Sequence, residues 1–149
     1  MTAFTHHLQK YLDENIPITQ EIGIKVVRFD AKGLVLTAPL IANKNDKNTA
    51  FGGSLAAVII LSGWALTHLT LEELGVKGST VVRRSKIDYL RPVKQDIYAI
   101  CSMPAPEVVA QFKQDILEKG KARWELHARV ETEHELAVDF SGVYVACRE

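Results

Sequence analysis

From Asn48 to Leu71 the sequence contains no Asp, Glu, Lys or Arg. That absence excludes a solvated surface helix, because a helix that is apolar all round must be buried on all sides. It also leaves the stretch without a carboxylate for acid–base work. An excess of charge of one sign is missing from the chain as a whole. Lys+Arg and Asp+Glu both number 18, so the formal net charge is zero. A nucleic-acid binder relying on bulk charge is excluded, and weak mutual repulsion favours self-association. Cysteine is scarce: Cys101 and Cys147 stand alone, without CxxC or metal-ligand spacing. A disulfide framework and a structural zinc site are therefore not expected, and reduced thiols in a cytoplasmic protein are. The five histidines also lack ligand spacing, so no metal is expected. The first fifteen residues carry no basic start, apolar run or cleavage pattern, so no cleaved leader is expected. An unbroken membrane-spanning run is missing too. Gly52, Gly53, Ser54, Ser62, Gly63, Thr67 and His68 interrupt the one long apolar window, which lacks the roughly 20 apolar residues a span needs. There are no repeats, linkers or low-complexity segments, and 149 residues suffice for one domain over residues 1–149 with a real core.

What is present is a buried helix with a well-marked start. Asn48 or Thr49 can cap its first amides. The pair Gly52–Gly53 lets another group approach the backbone. Free amides at a helix N-terminus attract negative charge, so this entrance suits a developing oxyanion. Gly52, Ala56, Ile59 and Gly63 fall on one stripe, which allows a sheet to approach closely. Thr70-Leu71-Glu72-Glu73 has capping-box spacing, predicting a separate turn there.

Around this helix the chain reads mainly as strands. Phe4, Leu8, Tyr11, Leu12 and Ile16 predict an amphipathic helix over residues 4–15, stopped by Pro17. A short turn over 18–22 closes at Gly23, and two strands, 24–29 and 34–40, flank a turn at Asp30–Gly33. Strands over 79–90 and 96–103 follow, then a helix opening at Pro106 and ending at Gly120. Residues 121–131 alternate most clearly, with Ala122, Trp124, Leu126, Ala128 and Val130 on one face and charged residues on the other. A final strand covers 136–146. Strands flanking one buried helix predict an α+β fold, an antiparallel sheet curled around that helix.

That order, with Asn45-x-x-Asn48-x-x-Phe51-Gly52-Gly53-Ser54 entering the helix, resembles the hotdog fold of acyl-CoA thioesterases. Ile87-Asp88-Tyr89-Leu90-Arg91-Pro92 looks like the strand end that reads Y-x-R-P in many members. More narrowly, Thr49–Leu55, Ser62-Gly63-Trp64 and Gly120–Arg123 resemble the thioesterase domain of the YiiD C-terminal type. The resemblance implies a curved sheet of five to six strands around a long central helix. It also implies a homodimer or homotetramer, and hydrolysis of a thioester borne by coenzyme A or acyl-carrier protein. No cofactor is implied beyond coenzyme A as part of the substrate, and neither nucleic acid nor a membrane is a partner. Asn48 for the family's Gly is a mild change, and two further positions depart from the pattern. Phe51 stands where the family has His, and Ile60 stands near the usual helix carboxylate.

The candidate catalytic residues are Asn45, Asp46, Gly52, Gly53 and Ser54. The glycine amides would polarise the carbonyl, the alternative being close packing only. Asn45 and Asp46 would orient a water and accept its proton, or form a solvated turn. Ser54 has no adjacent base in the sequence, which favours a first-turn hydroxyl over a nucleophile. For substrate binding the candidates are Phe51, Arg84, Asp88, Tyr89 and Arg91. The two arginines would hold coenzyme A phosphates, or simply be solvated, and Phe51 and Tyr89 would line an acyl pocket. The competing class is a non-catalytic acyl-CoA or acyl-carrier-protein binding module that keeps the amide hole.

Overall fold

The computed structural model describes residues 2–149. The elements run α1 (Ala3–Asn15), α2 (Ile18–Ile22), β1 (Lys25–Asp30), β2 (Gly33–Ala38), α3 (Leu40–Asn43), α4 (Gly52–Glu73), β3 (Gly78–Tyr89), β4 (Ile97–Ser102), α5 (Pro106–Lys119), β5 (Lys121–Thr132) and β6 (Glu135–Arg148). The six strands form one curved antiparallel sheet in the order β1-β2-β4-β5-β6-β3, wrapped around α4 as the hotdog arrangement requires.

Despite its interrupting small and polar residues, α4 does have the length and composition of a membrane span, which corrects that part of the expectation, yet it packs inside the sheet. Val58, Ile59, Ala65, Leu66 and Leu69 are fully buried against the inward residues of the strands. Gly63 shows why small residues line this helix. A Cβ there would overlap the ring of Tyr144, itself fully buried on β6 with its hydroxyl donating to the carbonyl of Ile60. Strand β5 alternates along its length as expected, and its Trp124 indole donates to Thr67 Oγ1 in the core at 2.9 Å.

Three local expectations are corrected. No second turn starts at Thr70, because its hydroxyl donates back to the carbonyl of Leu66 and α4 continues to Glu73. The four-residue α3 is too short for periodicity to reveal. Neither Asn48 nor Thr49 caps α4. Its N-cap is Phe51, which offers no side-chain acceptor. Asn48 instead takes φ = 60°, the left-handed turn position that Asn tolerates. Thr49 Oγ1 accepts from Asn45 Nδ2 at 2.9 Å.

Candidate active site at the start of the central helix

The approach to α4 is a small hairpin held rung by rung. The Phe51 amide donates to the carbonyl of Asn43 at 2.7 Å, Lys44 bridges Ala50, and the Asn45 amide donates to the carbonyl of Thr49 at 2.8 Å. Asn45 Oδ1 accepts the amides of Lys47 and Thr49, at 2.9 and 3.1 Å. Asn45 therefore shapes the loop with its acceptor oxygen already engaged. The Ala50 amide donates to the carbonyl of Val93 at 2.8 Å, which ties the hairpin to the chain following β3.

This bracing fixes the first turn of α4 and leaves its amides open. Helix geometry gives the first amides no partner within the helix, and no side chain caps them. The amides of Gly52, Gly53 and Ser54 therefore remain available at the positive end of a 22-residue helix. The Phe51 ring, more than half exposed, folds over the Cα of Gly53, where a Cβ would overlap it. Gly53 is thus a glycine for contact with Phe51. Gly52 has room, since a Cβ there would sit 3.8 Å from the Tyr89 ring.

A cleft of about 340 Å³ opens beside these amides, lined by Thr49, Ala50, Gly52, Leu55, Tyr89 and Arg91 with Pro92 and Val93. The Tyr89 hydroxyl lies 3.4 Å from the carbonyl of Gly52. Arg91 Nε is 3.2 Å from Glu135 Oε2, with both side chains more than half exposed. The structure thus brings Gly52, Tyr89 and Arg91 together, with Gly53 and Phe51 adjoining. Ser54 lies in the same first turn, partly exposed.

Asp46, Arg84 and Asp88 are not brought to this cleft within the protomer. Asp46 sits at the hairpin tip, its side chain 83% exposed and 3.5 Å from Lys47 Nζ. Three rungs separate it from Phe51, about 10 Å at strand rise. Asp88 precedes Tyr89 on β3, and consecutive strand residues face opposite ways. Tyr89 faces the helix, so Asp88 faces outward, paired across the sheet with Asp139. Arg84 shares that outer face, in a depression with Arg83, Arg123 and Glu125. A bulge between Val82 and Arg84 resets the alternation, and no residue type in the sequence announces it. Glu135 is a charged neighbour of the cleft that sequence reasoning missed. It lies 44 positions from Arg91 and reaches it only because β5 and β6 turn there.

Residues 5–148 match the family described as "Putative thioesterase (yiiD_Cterm)". Among solved structures, a protein of unknown function from Chlorobaculum tepidum is 34% identical, with a TM-score of 0.91 over 97% of this chain and 94% of that one. A "putative thioesterase" from Shewanella oneidensis is 27% identical, with a TM-score of 0.88 over 99% of each chain. A thioesterase from Haemophilus influenzae shares the fold at 18% identity, with a TM-score of 0.73 over 99% of this chain and 93% of that one. The match spans nearly the whole chain, hairpin, glycine pair and sheet included, and the chain belongs to this thioesterase family of hotdog fold.

Proposed function

We propose that the protein hydrolyses acyl-CoA thioesters at the entrance of α4. The observation that carries this is the uncapped first turn, whose Gly52 lines a cleft with Gly53 next to it. A thioester carbonyl oxygen placed there accepts hydrogen bonds that strengthen as it gains negative charge. Such preorganised donors act on the transition state more than on the ground state. Water attacks the polarised carbonyl carbon and its proton passes to solvent, to which the cleft is open. The tetrahedral intermediate then expels the coenzyme A thiolate, which takes up a proton. The products are a carboxylic acid and free coenzyme A. Arg91, at the rim of the cleft, holds a phosphate by exchanging its exposed contact with Glu135, a pair of little intrinsic worth.

A second reading is favoured by one specific observation: no Asp, Glu or His lines the cleft, among the described residues. On that reading the protein binds an acyl thioester without cleaving it. A panel of acyl-CoA esters, with free thiol detected as it forms, separates the two. Release of coenzyme A with turnover supports hydrolysis, and saturable binding without release supports the binding module.

A further inference from the structure

The outer face of the sheet, turned away from α4, carries a depression of about 410 Å³. Arg83 and Arg84 of β3 and Arg123 of β5 stand around it, with Glu125 and Val143. All three arginines are exposed. The ion pairs of arginine among the described residues go to Arg28, Arg91 and Arg129 instead. Glu125 is the one carboxylate lining the depression, and it lies 3.2 Å from His127 Nε2. Three guanidinium groups thus share one hollow without a counter-ion of their own.

The backbone gathers these charges. Consecutive strand residues face opposite sides, which would send either Arg83 or Arg84 inward. Instead Val82 lies opposite Tyr144 and Arg84 opposite Val143, so Arg83 is the extra residue of a bulge. Val82 faces α4 beside Ala57 and Ile60, and both arginines border the outer depression. Strand β6 separates them from Arg123. Val143 pairs with Arg84 on one side and Glu125 on the other, and Val145 pairs with Arg123. Two strand spacings of about 4.8 Å each lie between β3 and β5, a gap that two arginine side chains reach across.

Like charges held this close repel one another until an anion lies between them, and the guanidinium fork matches phosphate oxygens. The basic region is short. Lys86 adds a fourth cation, opposite Ser141, but the next outward pair is Asp88 with Asp139. From Arg84 to Asp88 the strand advances about 13 Å. A nucleic-acid strand or an acidic polypeptide would run from the arginines onto these carboxylates, whereas a compact anion would not. We infer that the depression binds a small, densely charged phosphate compound of the inorganic diphosphate class, at a site separate from the cleft. A free diphosphate carries more charge than the doubly esterified diphosphate of coenzyme A, so three guanidinium groups favour it.

The test is calorimetric titration with sodium diphosphate, in phosphate-free buffer at low salt, for wild type, Arg84→Ala, Arg123→Ala and Arg28→Ala. Arg28 controls for lost charge, since it lies on β1 at the other edge of the sheet, paired with Asp30. All three side chains are exposed, so the variants should fold, and thermal unfolding checks this. The wild type binds one diphosphate per chain. Arg84→Ala and Arg123→Ala each weaken binding about fivefold, the scale of one exposed ionic contact, and Arg28→Ala leaves it unchanged. Equal losses in all three variants would mean attraction by overall charge and would overturn the site. So would sulfate binding as tightly as diphosphate. Coenzyme A supplies the last arm. Added to the diphosphate-saturated protein, it leaves the diphosphate in place. One-for-one displacement, in wild type but not in Arg84→Ala, would give the depression to the phosphates of coenzyme A and overturn a separate site.

Discussion

Arg91 and Arg84 show how far one strand can divide two similar side chains. Both are exposed guanidinium groups on or just beyond β3, but only Arg91 lines the cleft beside Gly52. Coenzyme A binding should therefore depend on Arg91 alone. Calorimetric titration of Arg91→Ala should show roughly a fivefold loss of affinity, the scale of one exposed ionic contact. Arg84→Ala should bind as the wild type does. Added salt should weaken the wild type more than Arg91→Ala, because exposed charges are screened over about 10 Å at 0.1 M. Equal losses for both arginines would place the phosphates elsewhere. Cys101 shows the opposite extreme of exposure. Burial pushes its thiol up to about 12, which leaves it an inert core residue.

At the scale of elements, α4 is held by fit as much as by apolar area. Gly63→Ala improves helix propensity by about 1 kcal/mol. However, the new methyl overlaps a Tyr144 ring that is buried and hydrogen-bonded. Overpacking costs about 1–3 kcal/mol, so urea unfolding should show a net loss, of up to about 2 kcal/mol. A gain in stability would mean that the ring can move aside. The contact of α1 with α4 adds a pH dependence. Burial lowers the pKa of His68, and although Glu72 opposes this, the shift remains downward from 6.5. The unfolded chain therefore takes up a proton more readily than the folded one. The neutral ring's contribution is present above pH 6.5 and lost as pH falls through the lowered folded pKa. Thermal unfolding should show Tm falling between pH 7 and 5, with a shallower fall in His68→Gln. Equal slopes would exclude His68.

These elements also show what the sequence could carry. The alternation of β5 and the uncharged run of α4 predict their own burial, because period and polarity are local properties. The apolar groove between α2 and α4 could not be read the same way, since Ile18 and Ala57 meet only through the fold. The expected caps failed for a physical reason. Thr49 Oγ1 accepts from Asn45 Nδ2, and Asn48 is in the left-handed region with its Oδ1 3.4 Å from Lys44 Nζ, so neither reaches the amides of α4. The outward turn of Arg84 depends on a bulge after Val82 that has no sequence signature, whereas Asp88 faces away from Tyr89 by simple alternation.

For the whole molecule, β3 is one edge of the sheet, β1 being the other. It is twelve residues long, hydrogen-bonds to β6 on one side only, and exposes Val81 and Val82. An edge strand offers unpaired backbone groups to another chain, and although Arg83, Arg84 and Lys86 put charge on this one, the zero net charge limits repulsion between copies. We propose self-association along this edge. Sedimentation should show a dimer or larger species for the wild type and a monomer for Val81→Lys. A wild type that is monomeric at micromolar concentration would refute it. The central claim, that open amides at the start of α4 carry the chemistry, is tested most directly by Gly52→Pro. Gly52 is the first helical residue, where proline is favoured. Phe51 already has the extended φ of −62° and ψ of 133° that a residue before proline needs. The substitution removes one amide donor from a helix that should still fold. Acyl-CoA turnover by Gly52→Pro should fall about 10²–10³-fold at an unchanged Tm. Turnover at the wild-type rate in the folded variant would contradict the role of the Gly52 amide.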